Sequence, residues 1–174
     1  MAVIIEFEGR RPRIAESAFV APTAVLLGDV AVGENASIWF GAVLRADLGP
    51  IRIGANCNIQ DNVVIHSETA QGTVLAERVT VGHGAILHDC SIGTDTVIGM
   101  GAILLDRAKV GARCLVGAGS VVKEKFEIPD GTLAVGNPAT NKRLLEGNSA
   151  EWVARGADDY LHLVKRYAGY RVLS

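Results

Sequence analysis

Aromatic residues are scarce, at 5% of a 174-residue chain that is 49% apolar. A core of Val, Ile, Leu and Ala with so few rings points to stacked small units, not to a globule pinned by large side chains. No basic run occurs. Seventeen Lys and Arg face nineteen Asp and Glu, so the electrostatic footprint of a nucleic-acid binder is missing. No apolar run reaches membrane-spanning length. The N-terminal MAVIIEFEGRRPR sets its apolar residues before its charges, the reverse of a secretory signal. Cysteine is sparse too. Cys57, Cys90 and Cys114 are an odd set at unrelated spacings, which argues against a disulfide framework or a metal knuckle and predicts core thiols in a reducing cytoplasm.

What the chain does have is a period of six. Ile14, Val20, Leu26, Val32, Ile38 and Leu44 fall at six-residue steps. After three extra residues the series resumes at Ile53, Ile59 and Ile65, and after a further four it runs Leu75, Val81 and Leu87. One five-residue step then leads to Ile92, Ile98, Leu104, Val110, Val116 and Val122. Four positions after most anchors sits a small residue, such as Ala24, Ala42, Cys57, Ala85 or Ala102. Six matches neither the helical 3.6 nor simple strand alternation. It fits a triangular coil in which each hexad supplies one short strand and one corner. The branched anchor points inward and neighbouring coils stack roughly 4.8 Å apart.

The repeat fades after Lys123. Residues 1–125 are therefore expected to form the coil, and 126–148, rich in Pro and Gly, a loop leaving it. Residues 149–174 are expected to form an amphipathic helix packed on the coil, capped by Ser149 and presenting Trp152, Tyr160, Leu163, Val164 and Tyr167.

Register places the histidines. The hexads of Leu44, Ile65 and Leu87 share one face of the prism, so His66 and His88 each follow an anchor on that face, one coil apart. Two imidazoles stacked in this way can reach one ion. His83 follows Val81 on a different face and cannot join them within its own chain. A threefold ring, in which the first face of one subunit meets the third face of the next, brings His83 to the pair. Three neutral imidazoles with an open fourth position are the catalytic pattern for zinc. His162, on the terminal helix, stays outside this arrangement. The same count gathers Arg45 and Asp47 beneath His66, and Gln60 and Asp61 one coil below His83. An Arg45–Asp61 bridge across the interface would keep these charges paired, and for Arg45, Asp47 and Asp61 a purely structural role stays open. Gln60 suits chemistry better, because an amide orients a metal-bound hydroxide without neutralising it.

The strings LRAD, NIQDNVVIHS, VTVGHGAILHDC and GMGAILLD resemble the γ-class carbonic anhydrase family of hexapeptide-repeat proteins, from about residue 10 to the terminal helix. The resemblance implies an all-β fold, a single-stranded left-handed parallel β-helix with a C-terminal α-helix. It implies zinc, with iron or cobalt as alternatives, on His66, His83 and His88 between subunits of a homotrimer. Arg45, Asp47 and Asp61 would organise that interface, Gln60 would position the metal-bound water, and Tyr160 in ADDYLHLV would approach the pocket. Two departures stand out. Leu48 occupies a place where the best-established enzyme has glutamate, and the loop after His66 is only SETAQGTV, with Glu68 as its candidate proton carrier. The implied reaction is reversible hydration of carbon dioxide to bicarbonate. An acyl-CoA thioesterase using the same metal site and a non-catalytic accessory protein are the alternatives.

Overall fold

The chain folds as the expected left-handed parallel β-helix of about seven turns with one C-terminal helix. The computed structural model describes residues 2–167 and 169–170. Each turn presents three short strands, and strands one coil apart pair in parallel. On the first face Leu44 pairs with Ile65 and Ile65 with Leu87, then Leu87 with Leu104 and Leu104 with Val122. On the second, Ile53, Leu75, Ile92 and Val110 follow one another in the same way. On the third, Ile38, Ile59, Val81, Ile98 and Val116 do so. These anchors are buried, as are the small corner residues Ala42, Cys57, Ala85 and Ala102. Each fully buried branched side chain contributes roughly 1.5–3 kcal/mol. Two longer strands, Val25–Val32 and Val43–Ile53, run round the corner between the first and second faces and join those ladders into one sheet.

The expected loop at 126–148 is corrected by the structure. The coil continues through Glu127–Ile128, paired with Lys109–Val110, and through Thr132–Gly136, paired with Leu115–Val116. Ile128 and Ala134, each six residues beyond the previous anchor, are buried in the core. Ala139–Leu144 then turns back antiparallel on Thr132–Gly136 and closes that end of the third face. The pattern was hidden by Phe126 in a position reserved for small residues, by Pro129–Asp130–Gly131 at a corner, and by an alanine at the last anchor.

The helix spans Asn148–Tyr167, and part of the expected 149–174 lies outside the described residues. Ser149 is not its cap. Gly147 takes that place, its carbonyl accepting the Glu151 N–H at 3.1 Å, which puts Ser149 inside the first turn. The helix lies on the third face, with Val153 and Ala157 buried and Gly156 against Thr80 and Val97. Trp152, expected on the packed side, is half exposed. Arg78 fixes the helix: its guanidinium pairs with Asp158 at 2.9 Å and Asp95 at 2.6 Å, and donates to the Ala154 carbonyl. Tyr160 and Tyr167 stand edge-on to Trp39 at 5.5 and 5.0 Å. All three cysteines are free and buried, and burial pushes the Cys57 and Cys90 thiols up to about 12, which makes them inert.

Candidate metal centre

The ladder of the first face sets Arg45, His66 and His88 in register on three successive coils. Each follows a buried anchor, so strand alternation turns its side chain outward. His66 Nδ1 lies 3.0 Å from His88 Nε2, and the ring centroids are 5.0 Å apart. The far nitrogen of each ring is held by a carboxylate: His66 Nε2 by Asp47 at 3.0 Å, His88 Nδ1 by Asp106 at 2.6 Å. A carboxylate accepts only, so in the neutral tautomer that each contact favours the ring proton sits on the far nitrogen and the facing nitrogen keeps its lone pair. Glu68 Oε1 stands 3.9 Å from His66 Nδ1 and 3.8 Å from His88 Nε2. His66 Nδ1 and His88 Nε2 thus face one point, with the Glu68 carboxylate at its rim, an arrangement that could hold a cation. Two nitrogens on one tetrahedral ion at 2.0–2.1 Å would be about 3.3 Å apart, so the donors fit a metal with little movement. Imidazoles steadied through their second nitrogen by carboxylates are the usual outer arrangement of such sites.

Among the described residues, His66, Glu68 and His88 form one group able to hold an ion, and His88, Asp89 and Asp106 an overlapping one. His83 belongs to neither. It sits on the third face, with Nδ1 2.9 Å from Asp61 Oδ2, and its backbone N–H donates to Gln60 Oε1 at 3.1 Å. Gln60 is almost fully buried, and because its oxygen is engaged its amide N–H groups remain to donate elsewhere. Tyr160, on the helix, lines a cavity of about 470 Å³ together with Gln60, His83, Val97, Met100 and Trp152. Burial pushes the Tyr160 hydroxyl up and the Asp61 charge adds to this, so it is a donor and not a base. The expected partnership of Arg45 with Asp61 is not made within one chain. Arg45 pairs there with Asp47, and Asp61 with His83. Burial pushes the Asp47 carboxyl up, but hydrogen bonds from Arg45 and His66 outweigh it and hold Asp47 below the ordinary carboxylate range.

The profile "Bacterial transferase hexapeptide (six repeats)" matches residues 89–124. Over 165 residues the chain is 40% identical to a "Carbonic anhydrase" of Geobacillus kaustophilus, covering 95% of this chain and 91% of that protein. The chain belongs to the γ-class carbonic anhydrase-like family of hexapeptide-repeat proteins. "Gamma carbonic anhydrase 2, mitochondrial" of Arabidopsis thaliana is 39% identical over 91% of the chain, which spans 59% of that relative's length. The family is mixed: "Carnitine operon protein CaiE" of Proteus sp. is 36% identical over 94% of the chain and 83% of its own length. Among solved structures, a hexapeptide transferase family protein of Anaplasma phagocytophilum superposes with a TM-score of 0.91 at 37% identity, covering 95% of this chain and 98% of that one.

Within this family frame Asp106 is a site residue that spacing alone did not single out. It sits in GMGAILLD, one coil beyond His88 and two residues after the anchor Leu104, so the ladder itself was the signal. Asp106→Ala frees the His88 ring to rotate and is expected to weaken metal binding by roughly 10–100-fold. Chelator competition measures this; unchanged affinity would make Asp106 a surface charge only.

Proposed function

We propose that this chain is a metal-dependent carbonic anhydrase that hydrates carbon dioxide reversibly at the subunit interfaces of a homotrimer. The observation that carries the reading is the convergence of His66 Nδ1, His88 Nε2 and Glu68 on one point, with both rings braced from behind. His66 and His88 would hold the ion from one subunit and His83 from the next, with zinc as the first choice and iron or cobalt as alternatives. When bound, such an ion supplies Lewis acidity that brings the pKa of water down to about 7.

The chain's own residues do the rest. Gln60, its oxygen tied to His83, donates an N–H to the reacting oxygen and fixes its direction. Glu68, with its side chain 54% exposed, touches the histidine pair at one end and water at the other, so it can take up a released proton and pass it to buffer. Tyr160 offers a hydroxyl at the cavity wall. Across the interface Arg45 would exchange part of its contact with Asp47 for Asp61. Large apolar side chains left open on the first face, Val64 and Ile86, and Met100 at the corner after the third, support such an interface. The free buried thiols support a reducing, cytoplasmic setting. No helix among the described residues is long and apolar enough to cross a membrane.

Stopped-flow hydration assays on zinc-, cobalt- and iron-loaded protein, beside sedimentation analysis, test the reading. Saturable hydration by a trimer is expected, and an inert protein with every metal, or a monomer, overturns it. The mainly apolar cavity beside Gln60 and His83 is far larger than carbon dioxide requires, which favours acyl-CoA thioester hydrolysis as the second reading. A thioesterase panel run on the same samples separates the two.

A further inference from the structure

We propose that Asp89 is a positioning residue for Glu68: its buried carboxylate grips the short loop after His66 so that Glu68 stands against the His66–His88 pair. The consequence for turnover rests on the hydration reading; the grip itself does not.

Asp89 is 4% exposed, and among the described residues no other carboxylate is buried to this degree. A buried carboxylate is costly unless donors surround it. Here the donors are backbone amides of the loop and not a cation. Glu68 N–H donates to both oxygens at 3.1 and 3.2 Å, and Thr69 N–H to both at 3.3 and 3.1 Å. Charge-assisted bonds of this type are among the stronger ones available to a loop. The loop's ends have their own anchors. Ser67 accepts the Thr73 N–H on its hydroxyl at 2.9 Å and the Gly49 N–H on its carbonyl at 2.9 Å. Gly49 and Gly72 let the loop lie flat, since a Cβ on either would collide with the carbonyl oxygen of Thr69 or of Pro50. Among the described residues, only Asp89 accepts from the middle of the loop, at Glu68 and Thr69. One tripeptide therefore supplies a core anchor (Leu87), an imidazole at the site (His88) and the clamp on the group facing that imidazole (Asp89).

Without the clamp, the Glu68 and Thr69 amides turn to water and the Glu68 carboxylate leaves the histidines. Capture of carbon dioxide precedes proton export, so kcat falls while kcat/KM holds. The test uses the metal-loaded protein as wild type, Asp89→Ala, Asp89→Asn, Glu68→Gln and the Asp89→Ala/Glu68→Gln double variant. In Asp89→Ala the Glu68 and Thr69 amides should exchange hydrogen at least about tenfold faster, with the prism ladders unchanged. Glu68→Gln should lower kcat on the order of a hundredfold. Asp89→Ala should reproduce most of that loss, and the double variant should lose no more than Glu68→Gln alone. Asp89→Asn, keeping one acceptor oxygen, should fall between, and added imidazole buffer should restore kcat in each variant. Unchanged amide exchange, additive losses, or an equal fall in kcat/KM overturns the proposal. If the wild type is inert to carbon dioxide with every metal, the hydration reading alone fails. Crystal structures of wild type and Asp89→Ala then decide: Glu68 moved off the histidine pair supports the clamp, and Glu68 unmoved refutes it.

Discussion

His88→Ala is expected to strip the site of metal and turnover together, with the prism left standing. The imidazole faces His66 Nδ1 with one nitrogen and holds Asp106 with the other, so its removal deletes a donor and leaves Asp106 with nothing to brace. Two imidazoles cannot match three, and the loss of metal affinity should exceed the roughly 10–100-fold that an outer partner is worth. The fold should tolerate the change, because the His88 side chain lies outside the prism while Leu87 beside it fills the core. Elemental analysis and thermal melting read the two effects separately. His83→Ala should look the same by metal content, although its side chain sits on another face beside Asp61. Mixing the two variants then tests where the ligands come from. In randomly assembled trimers about one interface in four pairs an intact His66–His88 edge with an intact His83 edge. About a quarter of the wild-type metal content and activity should therefore return. If one chain supplied all three ligands, mixing would restore nothing.

Much of this geometry was legible because a coil of period six converts sequence spacing directly into spatial register. Ile65 and Leu87 needed only to be recognised as anchors for His66 and His88 to be stacked on one ladder, and the pairing of the two histidines follows that arithmetic. Where the chain departs from its own rule, the reading stopped short. Phe126 stands where a small corner residue belongs and packs against the core from its edge, and Ala134 is a small residue serving as an anchor, so two further hexads looked like a loop. Partners were harder to see than positions. Spacing alone gave Asp106 and Asp89 no role, and only the coil lays one beside the His88 ring and the other beneath the Glu68 amide. Arg45 illustrates the converse. Its spacing to Asp47 allowed a local pair that one chain makes by itself, while the proposed contact with Asp61 would need a second copy.

Gln60→Ala should separate metal binding from chemistry. Gln60 is buried on the third face, and its Oε1 accepts the backbone His83 N–H, an arrangement that orients the carboxamide and leaves its N–H groups to donate to the oxygen proposed to react. It offers no nitrogen lone pair to an ion, so its loss should leave most of the metal in place. His83 lines the cavity, so its freed N–H should be able to take up a water, which would limit the cost to about 1 kcal/mol and leave the oligomer intact. The effect on rate should be larger. A donor aimed at an oxygen where charge develops is typically worth on the order of a hundredfold in kcat, because it stabilises the transition state without reorganising. Turnover should therefore fall about a hundredfold while metal content, measured on the same sample, stays close to wild type. Loss of metal as complete as in His88→Ala would make Gln60 a support for His83 and not a partner in the reaction. Retention of both metal and full turnover would leave it a polar side chain whose only work is to accept one backbone hydrogen bond.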